Sequence, residues 1–197
     1  KTVITAGIVN NIPIKGVNVL AEAFVALRQE GRPVALTICG HQDLDQAYNV
    51  ALRNMLPGDV TWWGKYDRSD LPAILENLDV VVVPSIWYET QGIVIQEAFA
   101  AKVPVLVSSG TSLTETVDDG VNGLHFQMGS AADLAAKLSR LLDEPTLLDE
   151  LRGNIAPLRT IEQDLDDYTK IYTSLIQDYA ARQPIDSHGA VLTNARR

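Results

Sequence analysis

The amino-acid sequence predicts an α/β protein with a Rossmann-like three-layer αβα architecture and a parallel sheet in the middle layer. Apolar runs rich in β-branched residues alternate with segments of helical periodicity along most of the 197 residues. The run 79–83 contains four consecutive valines, which is typical of a strand buried on both faces of a sheet. Strands and helices that alternate in this way indicate right-handed βαβ units and therefore parallel strands.

The elements follow one another in a regular order. After a first strand at 2–9, apolar residues recur at steps of three and four in Val17, Leu20, Phe24 and Leu27, which predicts a helix. The other predicted strands are 33–39, 60–63, 79–83, 103–107 and 122–126. The other predicted helices in this part of the chain are 43–56, 67–78, 92–101, 114–117 and 131–142.

A long amphipathic helix is predicted at 160–180. Thr160 and Gln163 have the spacing of a capping box, in which the two side chains bond each other's backbone N–H groups. The sequence beyond has no periodicity and many turn formers, so we interpret 181–197 as a disordered tail or linker. We assign 1–180 to one domain, and we expect the long helix to pack on that domain; the alternative is that it covers a surface outside this chain.

The composition argues against several classes of function. Sixteen basic and 25 acidic residues give a net charge of −9 without a basic stripe, so nucleic acid is not an expected partner. The single Cys39 excludes an internal disulfide, and the three histidines have no metal-ligand spacing, so we expect no metal site.

No apolar stretch approaches the roughly 20 residues of a transmembrane segment. Because the chain starts at Lys1 without a leader pattern, we expect an excised domain of a cytoplasmic protein; peripheral membrane association of the full-length protein stays open.

Candidate ligand-binding loops lie where the predicted strands end, because doubly wound sheets bind ligands outside the carboxyl ends of their strands. These loops are 10–16, 40–42, 64–66, 84–92 and 108–111. The loop 84–92 is the most informative, since it enters a helix whose only charged side chain is Glu97. A carboxylate in such a helix has to be paired, hydrogen-bonded or placed at the rim of a pocket.

Two interpretations stay open for each carboxylate of this region. Glu97 either accepts hydroxyl groups of a sugar or ribose, or forms a salt bridge with a Lys or Arg at the edge of the core. Glu89 either faces the same cavity or is a solvated loop carboxylate. Gly92 opens the helix and lets a ligand approach the backbone, and the free N–H groups of the first helical turn form an anion site suited to a diphosphate.

Several motifs together resemble one known family. Glu89 and Glu97, with seven residues between them, resemble the E-x7-E motif of retaining GT-B glycosyltransferases of the family-4 type. Lys15 and Gly16 resemble the Lys-Gly pair that precedes the first helix in that family. Further similar segments, in the same order, are 79–85, 103–105, 115–123 and 160–162. The resemblance covers nearly the whole chain and implies the C-terminal, donor-binding half of the GT-B fold.

The resemblance implies a role for each matching residue. Glu97 would bind the ribose hydroxyls of a nucleotide-sugar donor, and Glu89 would contact hydroxyls of the donor sugar. Lys15 would neutralise the charge that develops on the departing diphosphate, so that Lys15 and Glu89 are the catalytic residues. Lys65 and Tyr66 would border the base, uracil or guanine. The backbone amides that would receive the diphosphate and sugar are those of Gln91, Gly92, Ile93 and Val94.

The implied reaction moves a sugar from a nucleoside diphosphate to a hydroxyl acceptor with retention of configuration. It needs no metal ion and no cofactor apart from the UDP- or GDP-linked donor. The acceptor-binding N-terminal domain of the GT-B fold is missing from this chain, so we expect the chain to be inactive by itself.

The sequence departs from the family pattern at two positions. An Arg usually follows the glycine of the first strand, but here Ile8 follows Gly7; the alternative is therefore a non-catalytic nucleotide-sugar-binding or scaffolding module with the same fold. Lys102 replaces a glycine, which we interpret as a change in a surface turn, with a replacement cation as the second interpretation. A receiver domain fits less well, because Asn10 and Asn11 stand where it needs an acidic pair, and a dinucleotide-binding domain fits less well, because Gly7-Ile8-Val9 does not match a G-x-G-x-x-G loop.

Overall fold

The computed structural model describes residues 4–8, 13–40 and 47–182 of the chain. Parts of the predicted strand 2–9 and of the predicted helix 43–56, and all but the first two residues of the predicted tail 181–197, lie outside the described residues. The chain divides into two units, 1–157 and 158–197.

The first unit is built on a sheet of six parallel strands, counted over the described residues. The strands are β1 Ile4–Ile8, β2 Val34–Cys39, β3 Thr61–Gly64, β4 Val80–Val83, β5 Val105–Ser108 and β6 Gly123–Phe126. The helices are α1 Val17–Gln29, α2 Ala47–Met55, α3 Leu71–Glu76, α4 Ile93–Ala100, α5 Ala131–Asp143 and α6 Leu147–Gly153. The predicted α/β class with a parallel sheet is confirmed.

The strand order β3-β2-β1-β4-β5-β6 contains one reversal of direction. The chain moves outward from β1 through β2 to β3, then returns to the other side of β1 and continues through β4, β5 and β6. In open α/β sheets such a reversal leaves a crevice between the two central strands at their carboxyl ends, and ligands bind there. The topology therefore places the crevice between the loops that follow β1 and β4.

Two apolar clusters cover the two faces of the sheet. Val80 and Val82 join the cluster that includes residues of α1, α5 and α6, whereas Val81 and Val83 join the cluster that includes residues of α3 and α4. All four valines are at most 8% exposed, which explains why the run is continuously apolar rather than alternating. The three-layer arrangement follows from this division of the side chains.

Two predicted details differ from the structure. The segment predicted as a helix at 114–117 is a 3-10 turn at Ser112–Glu115, where the Thr111 hydroxyl accepts a hydrogen bond from the backbone N–H of Leu113. Only seven residues separate this turn from β6, too few for a full crossover helix. The short α6 was not predicted, because three leucines in seven residues do not establish a helical period.

The second unit contains one described helix, α7 Ile161–Arg182. The predicted capping box is confirmed: the Thr160 N–H donates to Gln163 Oε1 at 2.9 Å, and the Gln163 N–H donates to Thr160 Oγ1 at 3.3 Å. The apolar side chains of α7 are exposed, for example Tyr168 at 60% and Leu175 at 58%. Over the described residues, no helix is both long enough and apolar enough to cross a membrane.

Cys39, at the end of β2, is fully buried, and burial raises the pKa of its thiol from 9.0 to about 11. Because the thiolate is the reactive form, we expect iodoacetamide at pH 8.5 to modify the folded chain at least ~100-fold more slowly than the urea-unfolded chain. Mass spectrometry of timed samples measures both rates, and equal rates would contradict this environment for Cys39.

The neutral thiol stabilises the fold below pH 9, and this contribution is lost as the pH rises towards about 11.

Candidate functional site

A cleft of about 300 Å³ lies at the carboxyl ends of the central strands. The residues that line it are Lys15, Tyr66, Val82, Val83, Pro84, Glu89, Gln91, Gly92, Ile93, Val94 and Glu97. Eight of the nine residues named from the sequence are therefore together in one cleft. The ninth, Lys65, is exposed and does not line it.

Lys15 and Glu89 form an ion pair inside the cleft, between the Nζ atom and the Oε1 atom. Lys15 belongs to the loop after β1 and Glu89 to the loop after β4, so the reversal of strand order brings them together across 74 residues of sequence. Their side chains are 26% and 14% exposed. Glu89 is thus not a solvated loop carboxylate.

The backbone of the β1 loop is tied to the backbone of the β4 loop. The N–H of Ile86 donates to the carbonyl of Ile14 at 3.1 Å. Next to this bond Gly16 has φ +70°, and a Cβ atom at Gly16 would overlap the carbonyl oxygen of Pro84. A glycine is required here because the two loops approach each other so closely.

The β4 loop is also fixed on its other side, by the loop that follows β5. The Ser112 hydroxyl donates to the backbone carbonyl of Glu89. A Cβ atom at Gly92 would lie 2.7 Å from the Leu113 side chain, so Gly92 packs directly against this loop. The segment that carries Glu89 is therefore held from both sides.

The N-terminus of α4 opens into the cleft at Gly92. The N–H of Ile93 donates to the carbonyl of Gln91 at 2.9 Å, and the N–H of Ile95 to the carbonyl of Gly92 at 2.8 Å. Within the part of the chain that the structure describes, the N–H groups of Gly92 and Val94 have no hydrogen-bond acceptor. Two amides with unused donors at a helix N-terminus favour an anion.

Glu97 lies one turn further along α4 and also lines the cleft, with 24% of its side chain exposed. Arg68 approaches it at 3.9 Å between Nη2 and Oε1, but the Arg68 side chain is 87% exposed. A long contact to a solvated guanidinium contributes little to stability, so the carboxylate keeps its capacity to accept hydrogen bonds from a ligand. Sequence reasoning did not identify Arg68 as a neighbour of Glu97, because a single exposed arginine in a loop carries no distinctive pattern.

Tyr66 completes the wall of the cleft next to Glu97. Burial first, and then the nearby Glu97 and Cys39, raise the pKa of the Tyr66 hydroxyl above its ordinary value. The phenol is therefore protonated at neutral pH and is able to donate a hydrogen bond.

The two departures from the family pattern lie in different places. Ile8 pairs with Ile38 in the sheet register. Lys102 follows α4 with φ +57°, and its Nζ donates to the carbonyl of Ile155 at 2.6 Å. Lys102 does not line the cleft, which favours its interpretation as a turn change over that of a replacement cation.

One further polar side chain near the cleft was missed by the sequence analysis. Ser85, two residues after the last residue of β4, is completely buried and donates to Glu89 Oε1 at 2.8 Å. Its position at the end of a buried strand, four residues before a carboxylate, was the available signal.

Over the described residues, no group of three or more His, Cys, Asp or Glu side chains is placed to hold a metal ion.

The fold and the cleft define the Rossmann-like, C-terminal type of domain found in GT-B glycosyltransferases. The family model for glycosyl transferases group 1 matches residues 4–156. The chain belongs to this family.

Related proteins and solved structures agree with this assignment. The chain is 29% identical over 156 residues to the alpha-D-kanosaminyltransferase of Streptomyces kanamyceticus, a match that covers 77% of this chain and 39% of that protein. Anabaena HepE, crystallised with UDP and glucose, has a similar fold with a TM-score of 0.69 at 20% identity, covering 91% of this chain and 48% of HepE. The C-terminal domain of the group 1 glycosyl transferase LpcC from Francisella tularensis gives a TM-score of 0.69 at 22% identity, covering 77% of this chain and 82% of that domain.

Proposed function

We propose that this chain is the donor-binding half of a retaining, family-4-type glycosyltransferase that acts without a metal ion. The observation that carries the proposal is the convergence of Lys15, Glu89, Glu97 and the α4 N-terminus on one cleft at the reversal of the sheet order. A cation, two carboxylates and unpaired amides match the three parts of a nucleotide sugar. These parts are a diphosphate, a ribose and a sugar ring.

In the proposed complex, Glu97 accepts hydrogen bonds from the ribose hydroxyls and Glu89 from hydroxyls of the donor sugar. The diphosphate lies at the α4 N-terminus, where Gly92 permits a close approach and the amides of Gly92 and Val94 donate to it. Tyr66 borders the base. The exposed Lys65, which precedes Tyr66 in the chain, is also proposed to border the base.

Lys15 supplies the catalytic electrostatics of the proposed reaction. When the bond between the sugar and the diphosphate breaks, negative charge grows on the leaving phosphate oxygen. An ammonium group and a helix N-terminus directed at that oxygen stabilise the transition state more than the ground state. In the same reaction the acceptor's hydroxyl oxygen bonds to the sugar carbon, and its proton passes to the leaving phosphate oxygen.

The acceptor is proposed to bind to a second half of the enzyme, outside this chain. The chain spans about two-fifths of the alpha-D-kanosaminyltransferase and about half of HepE. Proteins of that length have room for a second domain of similar size. The cleft described here therefore accounts for the donor only, and transfer is proposed to need both halves.

Thermal unfolding with added UDP, GDP or ADP tests the donor site. At a nucleotide concentration of about 100 Kd we expect about 2.7 kcal/mol of stabilisation, or a rise of roughly 5–10 °C in Tm, for the preferred nucleoside diphosphate. In Glu97→Gln, which keeps the shape but removes the charge, we expect an affinity about 10-fold or more weaker, because hydrogen bonds to charged groups contribute about 1.5–3 kcal/mol.

Glu76→Gln is the matched control, since Glu76 is an exposed carboxylate on the adjacent α3 and does not line the cleft. It should leave the ligand-induced rise in Tm unchanged. A wild-type chain that none of the three nucleotides stabilises would refute the donor site. An equal ligand-induced rise in Tm in the wild type and in Glu97→Gln would show that Glu97 does not belong to the donor site.

A further inference from the structure

Ser85 is the one residue that holds the Glu89 carboxylate from inside the protein core, as far as the described residues show. Its side chain is 0% exposed, and its Oγ lies 2.8 Å from Glu89 Oε1 and 3.3 Å from the carbonyl oxygen of Ile14. A serine hydroxyl has a single hydrogen to donate. The nearer and charged acceptor takes it, because charge-assisted hydrogen bonds are shorter and stronger than neutral ones.

Both cleft contacts of the Glu89 carboxylate involve the same oxygen. Lys15 and Ser85 each donate to Oε1. Within the described part of the chain, Oε2 accepts no hydrogen bond. The arrangement fixes one oxygen and leaves the other available to a hydroxyl group of a ligand in the cleft.

Lys15 and Ser85, the two donors to Oε1, are expected to respond differently when a nucleotide sugar binds. Lys15 is a flexible side chain that is 26% exposed, and a diphosphate carries more charge than one carboxylate. A diphosphate at the α4 N-terminus therefore competes for Lys15. Ser85 is buried at the end of a central strand and cannot follow, so its bond to Glu89 persists after Lys15 has turned to the diphosphate.

We propose that Ser85 is a positioning residue that keeps Glu89 aimed at the donor sugar once the diphosphate has drawn Lys15 away. This inference rests on the proposed donor site. The Ser112 bond to the Glu89 carbonyl fixes the backbone but leaves the side chain free to rotate. The direction of the carboxylate then depends on Ser85, and loss of this hydroxyl weakens recognition of the sugar without affecting recognition of the nucleotide.

The test compares a nucleotide with its sugar conjugate in the same variants by isothermal titration calorimetry. The ligands are UDP and UDP-glucose, or GDP and GDP-mannose if GDP gives the larger rise in Tm. For Ser85→Ala we expect the Kd for the nucleotide sugar to increase about 10-fold. The Kd for the free nucleotide should change less than about twofold, since UDP and GDP have no sugar for Glu89 to bind. Ser85→Cys, with a similar volume and a weaker donor, should give an intermediate increase.

Ser108→Ala is the matched control. Ser108 is a fully buried serine at the end of the adjacent strand β5, and its hydroxyl has no hydrogen-bond partner among the described residues. It should change neither Kd. Equal weakening of nucleotide and nucleotide sugar in Ser85→Ala would show a purely structural role and overturn the inference, as would no change in either. A wild-type chain that binds none of UDP, GDP and ADP would refute the donor site and, with it, this inference.

Discussion

Gly16→Ala is expected to destabilise the first unit by about 2–5 kcal/mol. The substitution forces an alanine to adopt φ +70°, which costs roughly 1–2 kcal/mol. It also drives the new methyl group into the Pro84 carbonyl, and relief of that overlap requires a backbone shift with a further cost of about 1–3 kcal/mol. The midpoint and slope of urea unfolding measure the loss.

Gly31→Ala separates the two costs. Gly31 has nearly the same backbone conformation, φ +72°, but a Cβ atom there would have no neighbour within 4 Å. Only the conformational cost of about 1–2 kcal/mol applies to it. Equal losses of stability in the two variants would contradict the close approach of the β1 and β4 loops at Gly16.

The same substitution should also weaken nucleotide binding. Gly16 is adjacent to Lys15, and the loop that must move away from Pro84 is the loop that presents this lysine to Glu89. Any folded Gly16→Ala protein is therefore expected to bind the preferred nucleoside diphosphate less tightly, whereas Gly31→Ala binds it as the wild type does. The glycine thus links the stability of the fold to the geometry of the site.

The fold was predictable from the sequence because each strand carries its own signal. The valine run of β4 indicates burial on both faces, and the alternation of strands and helices leaves few arrangements other than a parallel sheet. Glu97 was also predictable as a candidate, since a single carboxylate in an apolar helix requires an explanation. These inferences depend on properties of one segment at a time.

The interactions between loops were not predictable in this way. The bond from Ser85 to Glu89 and the pair of Lys15 with Glu89 depend on β1 and β4 being neighbours, which is a property of the strand order. The placement of Lys65 outside the cleft and of Arg68 beside Glu97 depends on the directions that side chains take in a short loop. A local pattern of residue types does not determine either property.

Lys15→Met is expected to weaken UDP binding about 10- to 100-fold and to leave uridine binding unchanged. The substitution keeps most of the aliphatic length of the side chain but removes the charge that is proposed to pair with the diphosphate, and hydrogen bonds to charged groups contribute about 1.5–3 kcal/mol. Uridine carries no phosphate, so it has no group for Lys15 to bind. Calorimetry for UDP and ligand-observed NMR for uridine measure the two affinities, with GDP and guanosine as the pair if GDP is preferred.

The fold itself should survive the loss of Lys15. In the native protein the Glu89 side chain is 14% exposed and accepts a hydrogen bond from Ser85. Without Lys15 the carboxylate is therefore neither fully buried nor without a donor. Lys137→Met, on α5, removes the same charge at a residue that does not line the cleft and controls for the change in net charge. If Lys15→Met weakened uridine as much as UDP, the lysine would act on the shape of the cleft. If the affinities for UDP and uridine were both unchanged, Lys15 would not pair with the diphosphate, and its proposed role in stabilising the leaving group would be wrong.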